Sequence, residues 1–80
     1  MVEVIFDPDF RKDFKKIKDN STKEKIIRQI SKIKDNPKIG KPMKYGRKGT
    51  RELYISPFRL SYKVEGDTVY ILALYHKDLQ

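Results

Sequence analysis

After a short opening strand, the apolar residues of this chain switch from a helical to a strand period, and that switch constrains the fold more than any other feature. From Phe10 to Ile33 they recur at helical spacing. Phe10, Phe14 and Ile17 make one stripe, and Ile26, Ile27, Ile30 and Ile33 make a second. From Phe58 onward they alternate, with Phe58, Leu60, Tyr62 and Val64 on one side and Arg59, Ser61 and Lys63 on the other. Two amphipathic helices followed by strands call for a layer of helix packed on one sheet.

The residues between these segments support that division. Val2 to Phe6 is β-branched and aromatic and reads as a first strand. Asp7 can accept from first-turn amides, and Pro8 suits the first helical position. Asp19-Asn20-Ser21 separates the helices, and Ser21 with Glu24 has the spacing of a capping box. Asn36-Pro37 stops the second helix. Lys38 to Gly49, with Gly40, Pro42 and Gly46, reads as a loop. Arg51 to Ile55, Phe58 to Val64 and Thr68 to Tyr75 read as strands, the last two joined by a turn at Glu65-Gly66-Asp67. Thr68 to Tyr75 is apolar on both faces, as a central strand requires. The predicted fold is α+β: a small antiparallel sheet with an N-terminal strand, a two-helix hairpin on one face and a C-terminal three-strand meander. With 80 residues there is room for one domain, 1–80, and no second core.

Composition narrows the function. There is no cysteine, which excludes disulfides and thiolate metal sites. The longest apolar run, Val69 to Tyr75, falls far short of the ~20 residues of a membrane span. No signal peptide is visible at the N-terminus, so the expected compartment is the cytoplasm. The net charge of +8 points to a polyanionic partner, nucleic acid or an acidic protein segment. Lys38, Lys41, Lys44, Arg47, Lys48 and Arg51 form a basic stretch with no acid among them. Tyr45 and Tyr54 lie in or just after it, and aromatic rings among cations suit base stacking beside a phosphate backbone. His76 is the only histidine and the natural candidate for acid–base chemistry. The serines lack a nucleophile elbow, and Gly46-Arg47-Lys48-Gly49-Thr50 lacks P-loop spacing. No metal and no cofactor are expected.

Four short motifs, in order, cover nearly the whole chain: Phe6-Asp7-Pro8-Asp9-Phe10 with Phe14, Lys15 and Lys16; Asn36-Pro37 before Gly40-Lys41-Pro42; Arg51-Glu52-Leu53-Tyr54 before Phe58-Arg59-Leu60-Ser61-Tyr62; and Tyr75-His76-Lys77-Asp78-Leu79-Gln80. In these the chain resembles the RelE/ParE superfamily of toxins from type II toxin–antitoxin systems. RelE-like members cleave mRNA in the ribosomal A site, ParE-like members poison DNA gyrase, and both are silenced by an antitoxin that wraps the toxin with an often acidic segment. The resemblance therefore implies a ribosome-dependent mRNA endonuclease inhibited by a RelB-like antitoxin, with a non-enzymatic gyrase toxin as the alternative. It implies that Arg59 holds the scissile phosphate, that Arg51 supplies a second cation, and that His76 takes the 2′-OH proton. Lys44, Arg47 and Lys48 would follow the RNA backbone, and Tyr54, Lys77 and Gln80 complete the implied RNA contacts. Gln80 stands where many members carry an aromatic residue. Arg59, on the polar face of its strand, also has a structural reading, as an ion-pair partner of Glu52 or an edge solubiliser, and Tyr62 reads as core.

Overall fold

The computed structural model describes residues 2–42 and 49–76. The elements run β1 (Glu3–Phe6), α1 (Pro8–Lys16), α2 (Asn20–Asp35), β2 (Lys41–Pro42), β3 (Thr50–Ile55), β4 (Phe58–Glu65) and β5 (Thr68–His76).

Local chemistry sets the helix ends. The Asp7 carboxylate accepts from the Asp9 amide at 2.9 Å, and Pro8 occupies the first turn of α1. Lys15 and Lys16 fall in the last turn, where the helix dipole favours cations. The cap of α2 is Asp19 rather than Ser21. Its Oδ1 accepts from the Ser21 amide at 3.1 Å and its Oδ2 from the Thr22 hydroxyl at 2.7 Å. A carboxylate that accepts on both oxygens, with its charge at a helix N-terminus, outcompetes a serine hydroxyl for this position. The Thr22 hydroxyl above all, helped by the Ser21 and Thr22 amides and the nearby Lys25 charge, holds the Asp19 carboxyl below its usual range against the opposing effect of desolvation. At the far end the Asn36 amide bonds Lys32 O at 2.8 Å, and Pro37 prevents a further turn.

The strands form one five-stranded sheet in the order β1-β5-β4-β3-β2. The antiparallel meander β3-β4-β5 is as expected from the alternation. Two features differ from the sequence expectation. β1 pairs parallel with β5, Glu3 opposite Thr68 and Phe6 opposite Ile71, so the sheet is mixed rather than purely antiparallel. The segment read as a loop also contains β2, whose Lys41 and Pro42 pair with Glu52 and Arg51. Proline is tolerated there because β2 is an edge strand. The Ser56-Pro57 peptide in the β3–β4 turn is cis. The β4–β5 hairpin closes through Gly66-Asp67, with Gly66 at φ 57, a conformation glycine adopts at little cost.

The helices cover one face of the sheet. Phe10 and Ile17 of the α1 segment and Ile26 and Ile33 of α2 pack with Ile55, Leu60, Tyr62, Val69, Ile71 and Leu74 into one core. Each such aliphatic side chain contributes about 1.5–3 kcal/mol when fully buried. Ile27, counted in the α2 stripe by its spacing, is 57 % exposed, because adjacent helical residues point about 100° apart and Ile26 already takes the core position. No helix among the described residues is long and apolar enough to cross a membrane. The opposite sheet face carries no helix among the described residues and holds, among others, Glu52 and Tyr54 of β3, Arg59 of β4 and Tyr75 of β5.

Candidate functional site

Three adjacent strands bring Glu52 of β3, Arg59 of β4 and Tyr75 of β5 to this open face. Tyr54, Arg59 and Tyr75 lie in one cross-strand row, with Glu52 in the next row, opposite Ser61 and Ala73. The Glu52 carboxylate joins the strands. Arg59 Nη1 donates to its Oε1 at 2.9 Å, and the Tyr75 hydroxyl donates to its Oε2. The pair is sheltered, with side-chain exposures of 33 % for Arg59 and 19 % for Glu52. Beside it Tyr54 is 55 % exposed, an aromatic ring at the solvent side of the cleft. Ile39, Lys41, Glu52, Leu53, Tyr54 and Arg59 line a shallow cleft of ≈ 370 Å³. The cleft therefore offers two cations, one carboxylate and one aromatic ring. A guanidinium that spends one N–H group on Glu52 keeps others for a phosphate. A fixed carboxylate can take a proton. No group of His, Cys, Asp and Glu among the described residues is arranged to hold a metal ion.

Arg51 lies elsewhere. Its register partner is the buried Tyr62, so it belongs to the helix-side rows of the sheet, and its Nη1 donates to Gly40 O at 2.7 Å and Lys38 O at 3.2 Å. Tyr62 completes the same clamp: its hydroxyl donates to Pro37 O at 2.7 Å and accepts from the Gly40 amide at 2.9 Å. Burial pushes the Tyr62 hydroxyl pKa above its ordinary 10.0, while the Gly40 amide and the Arg51 charge pull it back. A side chain at Gly40 would place its Cβ 2.7 Å from the Tyr62 hydroxyl and 3.1 Å from Glu52 O, so only glycine fits. These bonds fix the entry to β2, and through it Lys41, at the rim of the cleft. Arg51 is thus a strut, and the expected pairing of Arg51 with Arg59 around one phosphate is not assembled.

His76 is also separated from Arg59. Its ring meets Phe58 edge-on at 5.6 Å between centroids, and it lines a pocket with Asp13, Lys16 and Ile17 on the helix side. The cause is a register shift in β5. Tyr62 pairs with Ile71 but Ser61 pairs with Ala73, so Leu72 is skipped and every later side chain changes face. Simple alternation from Val69 and Ile71 would send Tyr75 into the core and His76 to the open face. The shift does the reverse, turning Leu74 and His76 inward and Tyr75 outward. Tyr75 is for that reason a site residue that sequence reading missed. Glu52 had a readable signal, since it shares strand parity with Tyr54 and opposes Leu53 and Ile55. Of the remaining sequence candidates, Lys44, Arg47, Lys48, Lys77 and Gln80 lie outside the described residues, as does Tyr45.

Comparison with known proteins places the chain in a family. A family model described as "ParE toxin of type II toxin-antitoxin system, parDE" matches residues 4–78. No curated protein sequence matches. Among solved structures, a chain of the RelBE2 toxin–antitoxin complex from Mycobacterium tuberculosis superposes with a TM-score of 0.82 at 24 % identity, covering 95 % of this chain and 98 % of that one. The YoeB dimer from Staphylococcus aureus gives a TM-score of 0.79 at 25 % identity, over 94 % of this chain and 97 % of the other. The isolated RelE toxin of E. coli gives 0.80 at 18 % identity, over 95 % and 84 %. The fold is thus shared across RelE- and YoeB-type structures. With the family match spanning nearly all of its length, the chain belongs to the ParE toxin family and is a toxin of a type II toxin–antitoxin system.

Proposed function

We propose that this toxin cleaves mRNA on the open face of its sheet, in the cytoplasm, with the ribosome presenting the substrate. The observation that carries the reading is the bonded set of Glu52, Arg59 and Tyr75, drawn from three strands and placed beside the exposed Tyr54. Arg59 holds the scissile phosphate and offsets the charge that builds on it in the transition state. Glu52, rather than His76, stands close enough to Arg59 to take the proton of the ribose 2′-OH. The 2′-oxygen then bonds phosphorus, the bond to the 5′-oxygen breaks, and that oxygen leaves with a proton from water. The products are a 2′,3′-cyclic phosphate and a 5′-OH. The nucleophile belongs to the RNA itself, so the step calls for no metal. A positioned base contributes about 10²–10⁴-fold. The rest is left to geometry fixed by the ribosome.

A second reading is favoured by the same ion pair, because Glu52 and Arg59 also satisfy each other as a purely structural element. In that case toxicity arises from protein contact, as with gyrase-directed members of the superfamily. Mapping mRNA 5′ ends after induction separates the two. Cuts inside translated frames that disappear with Arg59→Ala support cleavage. Growth arrest without cuts, unchanged by Arg59→Ala, supports the contact toxin.

The cognate antitoxin is the second partner. Phe6, Phe10 and Phe14 stack in a ladder with centroids 5.6 and 5.7 Å apart. With Arg11, Ile27 and Ile30 they line a nearly all-apolar groove of ≈ 340 Å³ between the helices. Arg11 and Lys23, whose ammonium lies 5.5 Å above the Phe14 ring, give it a basic rim. An acidic amphipathic helix of a RelB-like antitoxin fits that chemistry. Ile27→Glu should leave folding intact and weaken the toxin–antitoxin complex at least tenfold by titration calorimetry; unchanged affinity would move the antitoxin to another surface.

A further inference from the structure

The Glu52 carboxylate is held by donors on two other strands, one to each oxygen. A carboxylate facing a guanidinium with no other partner tends to close on it as a two-bond fork. That fork would cover the edge of Arg59 that a phosphate needs. Here only Nη1 of Arg59 meets Glu52, on Oε1. The Tyr75 hydroxyl occupies Oε2 and turns the carboxylate away from the fork.

We propose that Tyr75 is a positioning residue that holds Glu52 in single-bond contact with Arg59, so that the guanidinium stays open to phosphate while the carboxylate stays beside it as a proton acceptor. Three observations converge on it. Tyr75 stands directly opposite Arg59 in the β4–β5 register. Its hydroxyl bonds Glu52, two strands away on β3. It reaches this face only because β5 skips Leu72 in pairing, a departure that gives up regular ladder bonding to re-aim one end of a strand. Tyr75 acts through Glu52 and transfers no proton itself.

The inference rests on the cleavage reading, and the experiment keeps their failures apart. Single-turnover cleavage of an mRNA on programmed ribosomes is measured for the wild type, Tyr75→Phe, Glu52→Gln and the double variant. Thermal melts and antitoxin binding, which uses the remote helix groove, report folding. Tyr75→Phe keeps the ring and removes one hydrogen bond to a charged group, so the cleavage rate should fall about 10- to 100-fold. The toxin concentration giving half-maximal rate should change less than about twofold. In the Glu52→Gln background the same change should add almost nothing. A rate equal to wild type, or a loss that multiplies fully with Glu52→Gln, overturns the positioning role. A folded wild type that cuts no mRNA overturns the cleavage reading, and the inference with it.

Discussion

Replacing Tyr62 by phenylalanine removes one oxygen from the interior and tests the clamp beneath the site. The Tyr62 side chain is wholly buried, and its hydroxyl makes two bonds, accepting from the Gly40 amide and donating to Pro37 O. Gly40 is itself buried, so its amide has no water to turn to. Leaving a buried donor unpaired costs about 1–3 kcal/mol. Pro37 O is only half-buried and adds little. The midpoint of thermal unfolding should fall by roughly 4–8 °C for each kcal/mol lost. Burial has raised the Tyr62 pKa in the folded state, so its contribution has a definite pH dependence. Below the ordinary value of 10.0 both states keep the proton and the contribution is complete. As pH rises from there toward the higher folded value, the unfolded chain ionises first and wild-type stability falls. Tyr62→Phe lacks this loss, so the gap between the two proteins should narrow above pH 10.0. Urea titrations at a series of pH values measure it, with unchanged m-values as the check that the unfolded state is the same. Equal stability at neutral pH, or a gap that widens in alkali, would refute the clamp.

Two further perturbations test the helix layer. Asp19→Ala removes the acceptor for the Ser21 amide and the Thr22 hydroxyl, so it should lower helicity and the melting midpoint at pH 7 by circular dichroism. The Asp19 pKa is lowered in the folded state, so that difference should be full above the ordinary 3.8 and vanish as pH falls through the folded value. Ile33→Ala should cost about 2–5 kcal/mol in urea unfolding, because the side chain is fully enclosed and its removal leaves a cavity. Ile27→Ala, on the exposed side of the same helix, should change stability by only about 0.5 kcal/mol or less.

The elements legible in the sequence are those governed by nearest-neighbour chemistry. Asp7-Pro8 starts a helix wherever apolar spacing follows it, and Asn36-Pro37 stops one, so both helices were foreseeable. The three strands of the meander follow from alternation, and Glu52 as a partner for Arg59 follows from strand parity. What escaped reading depends on pairing across the chain. Nothing in Val2 to Phe6 says which neighbour that strand will take, and the parallel pairing with β5 is decided by where the two helices return the chain. β2 exists only because Tyr62 and Arg51, remote in sequence, hold Pro37 to Gly40 against β3.

The skipped residue in β5 shows most clearly why local pattern and site chemistry part company. Residues 69–75 all count as apolar, so the polar–apolar alternation that marks the two faces of a strand is missing there, and local pattern does not fix the register. The shift buries Leu74 to 3 % exposure and keeps an unbroken apolar column under the helices, from Val69 through Ile71 to Leu74. Continued alternation would have put Ala73 and then the Tyr75 hydroxyl against Phe58 and Ile17, a small residue and a polar one where the core needs aliphatic volume. Core packing thus selects the shift. Tyr75 beside Glu52, and His76 beneath the sheet, follow from it. The apolar demands of one face have arranged the polar chemistry of the other.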